Sequence, residues 1–235
     1  MLESFPARGL ALVIGASGGI GQVLLAQLRS EACFAHVLGF SRRSDPPLDV
    51  CREATIAHAA DQAAGSGLPL RLLINAAGFL HGDGVEPEKS WRQLDPAHMA
   101  RAFAINAIGP ALLMKHFLPL LPRDGKAVFA TLSAKVGSIG DNRLGGWHSY
   151  RASKAALNQL VRTASIELKR SQPSAICVAL HPGTVATPLS APFAKTGLTV
   201  QAPEDAAARL LATIDRLGAD STGGFFNQYG HALPW

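Results

Sequence analysis

Four runs in this chain, "LALVIG" (10–15), "LRLLINAAG" (70–78), "KAVFATLS" (126–133) and "AICVALHPG" (175–183), are apolar almost without interruption. A strand with one wet face alternates polar and apolar residues. One that does not is covered on both faces, which restricts it to a parallel sheet packed between layers of helix. The segments between the runs have the matching helical spacing. They are "QVLLAQLRS" (22–30), "EATIAHAADQAAG" (53–65, closed by Gly65), "PAHMARAFAINAIGPALLMKHFLPLL" (96–121), "YRASKAALNQLVRTASIELKRS" (150–171, ended by Pro173) and "PEDAAARLLATIDRLG" (203–218, with Pro203 at its start and Gly218 at its end). Gly109-Pro110 is expected to kink or interrupt the third of these. "AHVLGFS" (35–41), "LDV" (48–50) and "GGFFNQYG" (223–230) read as further strands.

Strand alternating with helix predicts an α/β fold: a single doubly wound Rossmann domain over residues 1–235, with about seven parallel strands and helices on both faces. No linker divides the chain and no internal repeat is present. Ligands of such sheets bind at the carboxyl ends of the strands, where the strand order reverses.

Composition narrows the function. The net charge of +5 invites a nucleic-acid reading, but the basic residues are dispersed, with doublets only at Arg42-Arg43 and Lys169-Arg170. Duplex binding needs a concentrated basic stripe. The reading is therefore no nucleic-acid partner. Cys33, Cys51 and Cys177 are isolated, with no spacing suited to a metal, so no metal site is expected. The N-terminus lacks a basic region and a long apolar run, so the expectation is a soluble cytoplasmic protein with no membrane partner.

Residues 15–21, "GASGGIG", stand between the first strand and its helix. Gly15, Gly19 and Gly21 permit a tight turn whose backbone approaches a pyrophosphate, with the helix N-terminus behind it. The bland alternative is a plain strand-to-helix turn. The second strand ends in "FSRRSD" (40–45). An acidic residue there would bind the ribose 2′-hydroxyl of NAD. Ser41, Arg42 and Arg43 instead suit a 2′-phosphate, because the arginine fork matches phosphate oxygens. Asp49 and Val50, at the end of the segment at 48–50, would lie beside the adenine.

Tyr150 and Lys154 share a helix face. A free phenol titrates near ~10. A nearby ammonium favours phenolate and tunes the phenol for proton exchange. The alternative is an ordinary surface pair.

"GASGGIG", "NAAG" (75–78), Asn106, Tyr150-x-x-x-Lys154 and "HPGTVAT" (181–187) occur in one order along the chain, and together they resemble a classical short-chain dehydrogenase/reductase. "LSAKVGSIGDNRLGGWHSYRASKAALN" is similar to the subgroup containing C-factor and Sniffer-type carbonyl reductases. The resemblance implies Tyr150 as general acid and Lys154 as the group that tunes it and holds the nicotinamide ribose. Asn106 would help hold a water that relays protons to Lys154. Gly15, Ser17, Gly19, Ile20, Gly21, Asn75, Ala76, Ala77 and Gly78 would line the cofactor, with Pro182, Gly183, Val185 and Thr187 at its nicotinamide end. NADP is the implied cofactor, NAD being possible. The partners implied are a small carbonyl or alcohol substrate and further copies of the chain in a homodimer or homotetramer.

Two positions depart from the family pattern. Ile14 replaces a threonine whose hydroxyl bridges to the "NAAG" turn, so some rigidity should be lost. Ala134 stands where a serine polarises the substrate carbonyl. Ser133 is the preferred substitute and Ser138 the other candidate. Met99 and Met114 read as core residues, and Trp147 and His148 as neighbours of the substrate mouth, with no role assigned to His148. "PLSAPFAKTGLTVQ" (188–201) reads as a cover over a modest apolar group. Three functions fit this pattern: an NADPH-dependent carbonyl reductase, a cofactor-binding regulator of the same fold with little turnover, and an NAD-linked alcohol dehydrogenase.

Overall fold

A computed structural model describes residues 2–193 and 199–235. Its centre is a six-stranded parallel sheet. In chain order its first members are β1 (Gly9–Ile14), β2 (Phe34–Phe40), β3 (Leu70–Asn75), β4 (Ala127–Leu132) and β5 (Ala175–His181). A short pair follows, β6 (Thr184–Val185) with β7 (Val200–Gln201), and β8 (Phe225–Asn227) closes the main sheet. The strand order is β2-β1-β3-β4-β5-β8. The chain winds outward from β1 to β2 and then crosses back to β3, so the order reverses between β1 and β3. The register brings Ile14 level with Phe40 and Asn75, and Leu132 level with Leu180. The carboxyl ends of the strands thus form one continuous edge.

β1, β3 and β4 are buried at every position, as their unbroken apolar runs require. Side chains alternate between two cores. Leu10, Leu12, Phe129 and Cys177 face α2 (Glu53–Gly65), α4 (Gly109–Phe117) and α5 (His148–Ser171), meeting Ile56, Phe117, Leu157 and Val161. Ala11, Val13, Val128 and Val178 face α1 (Gly19–Arg29) and α6 (Pro203–Arg216), meeting Leu24, Leu28, Leu210 and Ile214. α6 starts on Pro203 with Glu204 and Asp205 in its first turn and ends on Arg216, an arrangement matched to the helix dipole.

Three sequence expectations change. Residues 48–50 are not a strand, so the main sheet has six members rather than seven. The amides of Leu48 and Asp49 donate to the Ser41 carbonyl and the Thr55 hydroxyl instead of to a neighbouring strand. The last strand shrinks to Phe225–Asn227. The long third helical stretch does not break at Gly109-Pro110. α3 (Pro96–Phe103), capped by Asp95, runs into a π-helical segment, Ala104–Ile108, and then into α4. Pro110 has no N–H to offer the carbonyl four residues back, and the wider π turn absorbs the fault before the proline is reached. Pro96–Leu120 is long and apolar enough to cross a membrane by length and composition, yet Ala102, Asn106, Leu113, Met114 and Phe117 are buried within the fold.

Candidate active site

The glycine turn leaves β1 with Gly15 at φ +82°, where a side chain would be strained. The Gly15 and Ala16 amides donate to the Phe40 carbonyl at 2.8 and 3.0 Å. A Cβ on Gly15 would stand 2.7 Å from the Ala77 nitrogen, one on Gly19 would stand 2.7 Å from Thr187 Cγ2, and one on Gly21 would overlap the Gly15 carbonyl oxygen. Gly15 and Gly21 let the turn meet the "NAAG" turn and itself backbone to backbone, and Gly19 makes room for the Thr187 side chain of the "HPGTVAT" loop. Gly18 caps α1 without a side chain and its own amide donates to the Gly15 carbonyl at 3.0 Å; with no acidic residue in the first turn, the end of α1 that follows suits an anion. Ser17 is exposed at the tip, while Ile20 packs on the core beneath.

The loss of the threonine at Ile14 is met by other bonds. Ala76 N–H donates to the Ile14 carbonyl at 2.8 Å. The buried Asn75 side chain accepts from Ala77 N–H at 3.1 Å and donates to Thr131 Oγ1 at 3.0 Å. Asn75 therefore braces the turn on which Gly78 is exposed.

At the end of β2, the buried Ser41 hydroxyl accepts from Arg43 N–H at 3.1 Å. Arg42 and Arg43 are exposed, and neither forms an ion pair with a carboxylate among the described residues. Val50 is buried, and a Cβ on Gly109 would stand 2.8 Å from its own Cβ. Asp49 Oδ1 accepts from Cys51 N–H.

Tyr150 lies in the first turn of α5, and Lys154 follows one turn later, with its ammonium 5.7 Å from the phenol ring centroid. Lys154 is 3% exposed and donates to the Leu132 carbonyl at 2.9 Å. Burial pushes the Lys154 ammonium down to about 8 and the Tyr150 phenol up to about 12. The shift of the phenol is caused by burial and runs opposite to the depression expected from the neighbouring ammonium. The phenol stays protonated, the form a proton donor needs.

Asn106 is buried on the π-helical segment. Its Oδ1 accepts from Phe79 N–H at 2.8 Å, and its Nδ2 donates to the Phe79 carbonyl at 2.7 Å and to Ser153 Oγ at 3.1 Å. The side-chain amide is therefore fully occupied. Ser133 Oγ donates to Asn158 Oδ1 at 2.7 Å, toward α5. Ser138 Oγ donates to the Trp235 carbonyl at 3.2 Å and accepts from Asp141 N–H. Both candidate serines are thus hydrogen-bonded elsewhere, and Ala134 between them has no hydroxyl.

Beyond β5, Gly183 sits at φ +80°, and the Pro182 carbonyl accepts from Gln201 Nε2 at 2.6 Å. Val185 is buried, and Thr187 N–H donates to Ser190 Oγ. Of the expected cover, residues 194–198 lie outside the described residues. The part before them is held from two sides. His81 Nε2 lies 3.2 and 3.0 Å from the carbonyl oxygens of Pro188 and Leu189. Phe193 meets the rings of His81 (5.2 Å) and Trp147 (5.0 Å), and Trp147 meets Tyr150 edge-on at 6.2 Å. His81, Asn158 and Glu88 are not among the residues expected from the sequence. Asn158 could have been noticed at helical spacing after Tyr150 and Lys154. His81 and Glu88 act through loops whose course no periodicity reveals.

The comparisons agree with this geometry. A family model described as enoyl-(acyl carrier protein) reductase matches residues 22–219. The C-signal of Myxococcus xanthus is 38% identical over 170 residues, 71% of this chain and 93% of that one. The 1-hydroxy-2-glutathionyl-2-methyl-3-butene dehydrogenase of Rhodococcus sp. (strain AD45) is 32% identical over 95% of this chain and 98% of its own. Among solved structures, an NADPH-bound carbonyl reductase from chicken fatty liver superimposes with a TM-score of 0.84 at 27% identity, covering 99% of this chain and 97% of that one. The chain belongs to the short-chain dehydrogenase/reductase family.

Proposed function

We propose that this protein is an NADPH-dependent carbonyl reductase. The observation that carries the reading is the half-buried Tyr150 phenol one helical turn before the buried Lys154, at the edge of a glycine cradle. The cradle is closed to any Cβ at Gly15, Gly19 and Gly21, and α1 presents to it an N-terminus with no side-chain cap. That fits a dinucleotide pyrophosphate. Arg42 and Arg43, without carboxylate partners, fit a 2′-phosphate better than a bare ribose. The NADPH-bound chicken enzyme supports the same choice.

NADPH, when bound, supplies the hydride. Tyr150 gives its proton to the carbonyl oxygen as negative charge develops there. Lys154, held by the Leu132 carbonyl, keeps a positive charge beside the phenol and favours the phenolate that remains. Because the Asn106 amide is occupied, a relay water would be held by its main-chain carbonyl, to which Pro110 has no N–H to give. Val185 and Thr187 would hold the nicotinamide end. Ser133 enters as the hydroxyl that fixes Asn158 and that must leave it to reach substrate. The same reading includes a homodimer or homotetramer formed over the apolar groove between α4 and α5, which sedimentation velocity would test, and a reducing cytoplasmic setting for three free thiols.

A second reading is a cofactor-binding signalling protein with little turnover. Ala134, the two occupied serines and the similarity to C-signal favour it. NADPH oxidation against a panel of aldehydes, ketones and diketones separates the two. Turnover that Tyr150→Phe abolishes by orders of magnitude, with NADPH binding kept, supports the reductase. Tight NADPH binding without turnover over the whole panel would establish the second reading instead.

A further inference from the structure

α5 carries Tyr150 and Lys154, yet its own N-terminus is poorly made. It starts after Gly145, Gly146 and Trp147, all with positive φ (64°, 66° and 53°). Trp147 occupies the cap position and provides no side-chain hydrogen bond. A non-glycine residue in this region is held against a steric cost and needs an outside constraint.

That constraint is Glu88, far away in sequence, on the loop that follows β3. Its backbone carbonyl accepts from Trp147 N–H at 2.5 Å. Its carboxylate accepts from Ser149 N–H at 3.2 and 3.3 Å and from the Ser149 hydroxyl. His98, fixed on α3 by Asp95, brings its Nδ1 to 3.5 Å from the same carboxylate. Glu88 is 2% exposed. Burial opposes its ionised form, but the Ser149 hydroxyl, nearby backbone amides and His98 together hold the carboxyl below its usual range. A buried carboxylate against unsatisfied amides in the first turn of a helix acts as a cap and meets the positive end of the helix dipole.

We propose that Glu88 is a positioning residue for the general acid: its carboxylate is a cap donated in trans that fixes the first turn of α5, and with it Tyr150 and the Trp147 ring. The proposal rests on the reading of Tyr150 as proton donor, but its geometry does not. Glu88 touches neither the expected cofactor nor the phenol and acts only through Ser149 and Trp147.

The test is Glu88→Gln, which keeps the shape but removes the charge and one acceptor. The expected result is a fall in kcat of roughly 10- to 100-fold, the range for a small misplacement of a reacting group, with the Kd for NADPH changed less than about twofold. Ser149→Ala should lower kcat less. The double variant should be no worse than Glu88→Gln alone, because both act on one contact. Effects that simply multiply would overturn the proposal. So would an unchanged kcat per NADPH-binding site alongside a lowered Tm, which is what a merely structural role predicts. A second readout needs no turnover. The chain has two tyrosines, so fluorotyrosine labelling gives two ¹⁹F resonances, assigned with Tyr229→Phe. Glu88→Gln should shift or broaden the Tyr150 signal and leave that of Tyr229 in place. If wild type reduces no carbonyl, the reductase reading fails and this resonance alone decides the positioning claim. If Glu88→Gln does not fold, Ser149→Ala must move the Tyr150 signal, and an unmoved signal overturns the proposal.

Discussion

Gly21→Ala is the substitution whose consequence can be worked most directly from the structure. The added Cβ would overlap the Gly15 carbonyl oxygen and lie 2.9 Å from the Gly15 carbonyl carbon and 3.3 Å from Ala16 Cα. All three are backbone atoms, so no rotamer change relieves the clash, and α1 or the turn must move. Overpacking costs about 1–3 kcal/mol, and the fixed neighbours place this case near the top. The better helix propensity of alanine returns about 1 kcal/mol. The net loss of ~2 kcal/mol corresponds to a fall in Tm of roughly 4–8 °C for a chain of this size. Moving the amides of α1 also removes about one charge-assisted hydrogen bond to pyrophosphate, ~1.5–3 kcal/mol, or at least roughly tenfold in NADPH affinity. Thermal unfolding by circular dichroism and NADPH titration by fluorescence check both numbers. Gly65→Ala is the control. Its Cβ meets nothing within 4 Å, and it should raise stability by about 0.4–1 kcal/mol. If Gly21→Ala melts with wild type and binds NADPH equally well, the turn is not the close-packed cradle described above.

Other substitutions test separate parts of the site. Arg42→Ala with Arg43→Ala should weaken NADPH by a few kcal/mol, at ~1.5–3 kcal/mol per charge-assisted bond, while NADH changes little. Equal affinity of wild type for the two cofactors would refute that assignment. Ser133→Ala should lower kcat by no more than roughly tenfold, since its hydroxyl already serves Asn158, and Ser138→Ala should be mild. A loss for Ser133→Ala of two to three orders of magnitude, the range for one oxyanion donor, would show that the hydroxyl does turn to the substrate. Lys154→Met should abolish turnover yet stabilise the fold at pH 7. The folded ammonium titrates near about 8 against an ordinary 10.5. Burial thus imposes a penalty that is complete below pH 8 and disappears as the pH rises toward 10.5. The gain is at most about 3 kcal/mol, and in urea denaturation it should narrow by pH 10. A variant less stable than wild type at pH 7 would contradict this.

The parts of the molecule that were legible in its sequence are those where one local rule decides the outcome. The unbroken apolar runs could only be strands covered on both faces. Gly15, Gly19 and Gly21 stood where a strand enters a helix, and each proves to face backbone or a close neighbour that a Cβ would strike. Tyr150 and Lys154 were related by helical spacing alone. What failed depended on where a hydrogen bond is satisfied. Residues 48–50 have strand-like composition, but the amides of Leu48 and Asp49 are used by Ser41 and Thr55. The fault introduced by Pro110 was foreseen, but its relief through a π turn upstream was not. The Ser133 hydroxyl could not be aimed without knowing that Asn158 lay opposite. Glu88 was invisible because Ser149, the partner of its carboxylate, lies 61 residues further along the chain.

The short pairing of β6 with β7 has a consequence for how this protein can change over generations. The chain between these two strands leaves and re-enters the body at one point. There Gln201 bonds to the Pro182 carbonyl and to Gln228, and Arg209 Nη1 donates to Gln201 Oε1 at 2.6 Å. A loop whose two ends are already joined carries little further entropic cost when it lengthens, about 0.6 kcal/mol for each doubling. The chain between these strands can therefore change in length at little cost, provided Thr187 still meets Gly19 and Phe193 still meets the Trp147 ring. Those two contacts tie it to the frame that carries Tyr150, and the length between them is what descent is free to vary.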